Sequence, residues 1–278
     1  MIELRAGANT DGARTVLGDF KRELSNITGT NHLPVDRLNA WRSWSAHAPA
    51  RARAQFTDRS IRNVILGPQF TMLQNIAVST YGPGLSALID SELDTRLHEI
   101  ASALQQIDDA VRFWGRDRIA IVLDTGLLLA AGPRVAQIAW DDVLNGITRT
   151  AAFVVPIQVV EELDRQKELR SGELRNKARY ALKWLDEIVS TGNDPRPFPT
   201  GESDSTIRVW VDDNDRIPLA ETDRDIIDRV LQLQPFTKQA VIASMDRSMV
   251  FRARTYGLTA ALLDDEDIPP RSDRAQNE

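Results

Sequence analysis

Residues 153–168, FVVPIQVVEELDRQKE, decide how this chain is read. FVVP is a short apolar run of aromatic and β-branched residues, closed by a proline that cannot donate to a strand ladder. From Ile157 the period changes. Val159, Val160 and Leu163 share one face at about 100° per residue, which predicts an amphipathic helix over Ile157–Glu168. The same alternation recurs on both sides, with apolar runs IAIVL (119–123), IRVWV (207–211), AVIAS (240–244) and TAALL (259–263). Helical patterns separate them at 134–145, 172–189, 223–233 and 247–256, whereas the Pro/Gly/Asp-rich stretch 191–206 reads as an exposed loop. Strands alternating with helices predict an α/β fold with a parallel sheet sandwiched by helices.

Upstream the pattern is helical throughout. Val16, Phe20, Leu24 and Ile27 recur at helical steps, as do Leu38, Trp41 and Trp44 after a break at His32 to Pro34. APARARAQF (48–56) reads as a linker, 62–78 as a further helix, and Tyr81-Gly82-Pro83-Gly84 as a stop. A long helix over 85–113 is predicted to bury Leu88, Leu93, Leu97, Ile100 and Leu104. The expected organisation is an N-terminal all-α domain (1–115), an α/β domain (116–268) and a flexible tail (269–278). Trp41, Trp44 and Arg42 suit either a helical core or a surface for a protein partner, and core packing is the commoner fate of such residues.

Composition narrows the chemistry. The 278 residues are 42% hydrophobic and 27% charged, an ordinary globular balance that excludes disordered and fibrous architectures. Without cysteine, disulfides, thiolate metal sites and cysteine nucleophiles are all excluded. Only His32, His47 and His98 offer imidazole, so carboxylates are the expected workers. No run approaches the roughly 18 apolar residues of a membrane span, and MIELRAGANTDGAR lacks the apolar core of a signal peptide, so a cytoplasmic location is expected. Up to residue 118 there are 14 basic against 13 acidic residues, and beyond it 20 against 27, for a net charge of −6. That balance argues against broad non-specific nucleic-acid binding but leaves room for a local basic groove.

In open parallel sheets, sites form beyond the carboxyl ends of the strands. Acids stand there. Asp124 follows IAIVL and is the only charge between Ile119 and Arg134, and Asp246 follows AVIAS. Each suits a helix N-cap as well as a functional acid. Glu162 lies about 105° from the apolar stripe of its helix and Glu161 about 155°, which makes Glu162 the better candidate. After IRVWV come Glu221, Thr222, Asp223, Arg224 and Asp225, where Thr222 and Asp225 have capping-box spacing. Taken jointly, Asp124, Glu162, Asp225 and Asp246 follow four strands of one sheet and can converge. Converging carboxylates repel one another, and an all-oxygen ligand set suits Mg²⁺ or Mn²⁺.

VLDTGLLL, VVPIQVVEELDRQKELRSGELRNKARYALKWLDEI, DRDIIDRVL and VIASMDRSMVFRARTYGL together resemble a PIN domain, in order and spacing, over about half of the chain. The likeness is to the subgroup found fused to PhoH-type ATPases and in mRNA-decay endonucleases. It implies a PIN-like nuclease domain in which Asp124, Glu162, Asp225 and Asp246 are the catalytic acids and hold Mg²⁺ or Mn²⁺. Ser244 matches a Thr or Ser that supports the last acid, Thr125 belongs to the D-T step, and Asp223 reads as a helix-start charge or a fifth, outer ligand. Gly126 and Ser248 depart from the pattern, where Asn or Ser and Asn are usual. The implied activity is a metal-dependent endoribonuclease leaving 5′ phosphate and 3′ hydroxyl ends, acting on single-stranded RNA. Arg175, Arg179 and Lys183 at four-residue steps, with Arg247 after the fourth acid, are the expected phosphate contacts or else a solvated face. PIN domains often pair, which implies a homodimer. Trp184 and Trp210 read as core.

Rival readings find less support. L-D-T-G also marks aspartic proteases, but these need two converging copies in an all-β scaffold. A haloacid-dehalogenase-type phosphatase needs a second Asp at position 126, which is Gly. Phosphate-binding glycine loops are absent. The remaining alternative is a catalytically inactive PIN-like scaffold that binds RNA or protein.

Overall fold

The four apolar runs nearest the acids become fully paired strands because both faces of the sheet are covered, so no alternation with polar residues is needed. The computed structural model describes residues 2–29, 33–77, 84–144, 150–169, 172–189, 195–198, 204–211 and 218–270, which fall into two units, Met1–Phe113 and Trp114–Glu278.

In the first unit, α1 (Thr10–Gly29) buries Ala13, Leu17, Phe20 and Leu24, and α2 (Pro34–Ala52) buries Leu38, Trp41 and Trp44. Phe20 and Trp44 meet edge to face with centroids 5.7 Å apart. The expected linker at 48–56 is instead mostly helix: α2 continues through Pro49 to Ala52. Ala48, Ala52 and Phe56 are all buried, and that packing outweighs one lost backbone hydrogen bond near the helix end. The expected single helix at 62–78 is also broken. α3 (Asp58–Ser60) runs into a π-helical turn (Ile61–Leu66), which ends at Gly67, whose φ is +72°, and α4 (Phe70–Asn75) follows. Val78 lies outside the described residues.

The long helix α5 (Gly84–Trp114) forms as expected, but its inner stripe is Leu85, Ile89, Leu93, Ile100, Ala103 and Ile107, with Leu88, Leu97 and Leu104 partly exposed. Two charges share that stripe. Glu92 and Arg96 are 1% and 2% exposed and approach to 3.1 Å, and burial raises the Glu92 carboxyl while Arg96 pulls it back. Arg96 Nη1 donates to the carbonyls of Asn63 and Val64, backbone acceptors in the π turn.

In the second unit, six strands run in the order β3-β4-β2-β1-β5-β6: β1 (Ile119–Leu123), β2 (Ala151–Pro156), β3 (Arg196–Pro197), β4 (Thr206–Trp210), β5 (Gln239–Ser244) and β6 (Thr259–Leu262). All pairings are parallel except β3 with β4. β3 lies within the stretch expected to be loop. The helices are α6 (Thr125–Ala131), α7 (Trp140–Val143), α8 (Ile157–Lys167), α9 (Glu173–Val189), α10 (Thr222–Leu233) and α11 (Arg247–Thr255). The helix expected at 134–145 is a 3₁₀ segment (Gly132–Gln137) followed by the short α7, and Asn145 lies outside the described residues. Residues 271–278 of the expected tail also lie outside them. From β1 the sheet grows to β2 on one side and to β5 on the other, so the strand order reverses beside β1, and its carboxyl end is the natural crevice. Among the described residues, no helix is long and apolar enough to cross a membrane.

Candidate active site

Leu123 of β1 lies beside Ala243 of β5, so the next residues, Asp124 and Ser244, emerge together at the crevice. Asp124 is 6% exposed and caps α6, accepting the Thr125 N–H at 2.7 Å on Oδ1. Its Oδ2 accepts the Ser244 hydroxyl at 2.7 Å. The N-cap reading of Asp124 holds, and the same carboxylate lies at the crevice. Burial pushes its carboxyl up to about 6; the Ser244 and Thr125 hydrogen bonds work against that, and the charges of Asp223 and Glu162 add to it.

Two hydroxyls tie the acids into one group. Thr125 Oγ1 donates to Glu162 Oε2 at 2.7 Å, linking the start of α6 to α8. Ser244 Oγ accepts the backbone N–H of Asp246 at 2.9 Å while donating to Asp124. Asp246 caps α11, taking the Ser248 N–H at 2.7 Å and the Ser248 hydroxyl at 3.2 Å. Glu162 is partly buried and Glu161 exposed, the orientation that the helical phase favours. Gly126 leaves space beside the site: a Cβ there would lie 3.3 Å from Asp124 Oδ2.

The α10 acids divide between two tasks. Asp225 is 1% exposed, and its Oδ1 accepts the Leu219 N–H at 2.7 Å, holding the chain that leads into the helix. Asp223 is partly exposed and faces the group. Burial raises its carboxyl, as do the charges of Asp246, Glu162 and Glu221, against the lowering effect of Arg252. The acids that sense one another are thus Asp124, Glu162, Asp223 and Asp246. The capping box that the spacing of Thr222 and Asp225 suggests does not form: Glu221 is the N-cap of α10, without a side-chain cap hydrogen bond, and Asp225 receives the Leu219 N–H instead.

Of the expected phosphate contacts, Arg175 is partly buried on α9, Arg179 and Lys183 are exposed there, and Lys183 lies 3.8 Å from Glu187. Arg247 is exposed at the first position of α11. Arg252, farther along the same helix, approaches Asp223 at 3.7 Å and Glu221 at 3.9 Å. Trp184 is buried against Phe198, as a core residue is, whereas Trp210 is partly exposed and packs between Trp114 and the Arg229 guanidinium.

Among the described residues, no group of three or more Asp, Glu or His side chains is arranged to hold a metal ion as it stands. The donor chemistry nevertheless fits one. The ligand atoms would all be carboxylate oxygens, and their mutual repulsion, which adds to burial in raising the Asp124 and Asp223 carboxyls, is relieved by a divalent cation.

Residues 121–263, just over half of the chain, match the PIN domain family, and the chain belongs to it. PIN domains are in general nucleases that use divalent metal ions. A solved domain of a functionally unknown protein from Methanocaldococcus jannaschii DSM 2661 is 14% identical, with a TM-score of 0.34, covering 55% of this chain and 94% of that domain. No curated protein matches the chain.

Proposed function

We propose that the protein is a metal-dependent endoribonuclease acting on single-stranded RNA, with Asp124, Glu162, Asp223 and Asp246 holding Mg²⁺ or Mn²⁺. The observation that carries this reading is the placement of Asp124 at the strand-order reversal, linked through Ser244 to the Asp246 backbone, with Glu162 tied to the neighbouring Thr125 hydroxyl. Asp223 takes the place that sequence spacing gave to Asp225, because it faces the other acids. A divalent cation there would supply Lewis acidity toward the scissile phosphodiester and the attacking water. Ser244 and Thr125 fix the rotamers of Asp124 and Glu162, so that little reorganisation is needed at the reaction. Asp225 steadies the start of α10 and thereby the backbone that carries Asp223. Arg175, Arg179, Lys183 and Arg247 form the cationic surroundings proposed to receive RNA phosphates.

The second reading, an inactive scaffold, is favoured by one observation: no three acids stand ready to clasp an ion among the described residues. Incubating the protein with end-labelled single-stranded RNA in Mn²⁺, Mg²⁺ or EDTA separates the two. Internal cuts with 5′ phosphate ends that require the metal support the nuclease. Intact RNA in all three conditions, with the protein folded, supports the scaffold.

A further inference from the structure

The outward face of α11 does not look like an ordinary solvated helix. Phe251 is 65% exposed and Tyr256, at the helix end, 59% exposed, the former among the most exposed large side chains described. From Arg247 to Leu263 there are three arginines and no acid, in a chain whose net charge is −6. Arg254 is committed to the Ala260 carbonyl, which its Nη2 reaches at 3.0 Å. Arg247 and Arg252 are both exposed, and Arg252 also reaches Glu221 and Asp223 at the edge of the site. At about 100° per residue, Arg247, Phe251 and Arg252 lie on the side away from the buried Met249, Val250 and Ala253, and Tyr256 follows the helix as its exposed C-cap residue. Asp246 caps the start of the helix, and Arg252 stands 3.7 Å from Asp223, so this face borders the acids.

We infer that α11 is a track for single-stranded RNA, on which Phe251 and Tyr256 stack bases while Arg247 and Arg252 meet phosphates. This deepens the nuclease reading and rests on it. Exposed aromatics flanking arginines are the composition that holds unpaired nucleic acid, since every base offers a π face and the backbone supplies the charge. A protein partner would equally cover the aromatics, but the stretch without acids complements a polyanion.

The test combines binding of a labelled single-stranded RNA in EDTA, by anisotropy, with cleavage in Mn²⁺, for the whole chain and its variants. Phe251→Ala and Tyr256→Ala are each expected to weaken binding roughly tenfold and to raise KM while kcat stays the same. Phe251→Trp and Tyr256→Phe should retain wild-type affinity. Arg247→Gln and Arg252→Gln should each lower the slope of log affinity against log salt by about one. Cleavage with RNA affinity and KM unmoved by either alanine variant overturns the track and leaves the nuclease standing. Absence of both binding and cleavage in the wild-type chain overturns the nuclease reading and the track with it. If Phe251→Ala and Tyr256→Ala leave RNA affinity intact but dissociate a dimer, the face joins copies of this chain, and the track is again overturned.

Discussion

The hydroxyl of Ser244 donates to Asp124 Oδ2 at 2.7 Å and accepts the Asp246 N–H at 2.9 Å, so one buried side chain sets the positions of two acids on neighbouring strands. Ser244→Ala removes a donor from a buried carboxylate and an acceptor from a backbone N–H. The expected cost is about 1–3 kcal/mol in urea denaturation, together with a loss of cleavage. Ser244→Thr, which keeps the hydroxyl, should restore both. An alanine variant with full stability would show that the link is dispensable.

Asp124 makes stability depend on pH with a definite sign. Its folded carboxyl titrates at about 6, above the ordinary 3.8, so between those values the native state holds a proton that the unfolded chain has released. Stability from this group is therefore present at low pH, falls as pH rises through that window, and levels off above 6. In metal-free buffer, Asp124→Asn should lose that slope and gain on the order of 2 kcal/mol at neutral pH. Asparagine still caps α6. Urea melts of both proteins at pH 4.5 and 7.5 measure the difference, and a variant less stable at pH 7.5 would mean that the hydrogen bonds outweigh the cost of burying the charge.

Asp223 and Asp225 should separate cleanly. Asp223→Asn relieves repulsion and is expected to leave stability equal or higher while lowering metal-dependent cleavage at least ~100-fold. Asp225→Ala breaks the bond to Leu219 and should cost about 1–2 kcal/mol, with cleavage per folded molecule retained. The opposite pattern would return Asp225 to the acid group.

Glu162→Gln should abolish cleavage and Glu161→Gln should be neutral, because Glu162 receives the Thr125 hydroxyl and Glu161 is exposed. Thr125→Val, which keeps the shape and removes the donor, should weaken cleavage without unfolding the chain. Circular dichroism beside the assay checks both parts.

In the first unit, Gly67 is fixed by its neighbour. Its φ of +72° suits only glycine, and a Cβ would fall 2.5 Å from Arg96 Cζ, which is buried and held by Glu92, Asn63 and Val64. Gly67→Ala is expected to destabilise by at least about 1–3 kcal/mol, read as a lowered Tm. Unchanged melting would mean that Arg96 moves aside freely.

How legible this was in the sequence depended on the range of the forces involved. IAIVL, FVVP and AVIAS declare buried strands through composition alone, and with them the placement of Asp124 and Asp246 at one sheet edge. Glu162 was legible through helical phase. The nearness of Asp223 to Asp246 and Glu162 was not, because it depends on tertiary packing at the start of α10. Two-residue β3 carries no periodic signal, and Pro49 inside α2 reads as a break until the burial of Ala48, Ala52 and Phe56 is known. The Glu92–Arg96 pair is likewise invisible to hydrophobic periodicity, since charges on an inner stripe look like an outer face until their partners are seen.

The most direct measurement of the central claim is Mn²⁺-dependent cleavage of single-stranded RNA by the wild-type chain beside Asp124→Asn and Asp223→Asn. The account predicts cleavage by the wild type, none in EDTA, and losses of at least ~100-fold in both variants, with each still folded. Cleavage that survives both substitutions, or a folded wild-type chain that cuts no RNA with metal present, would contradict it.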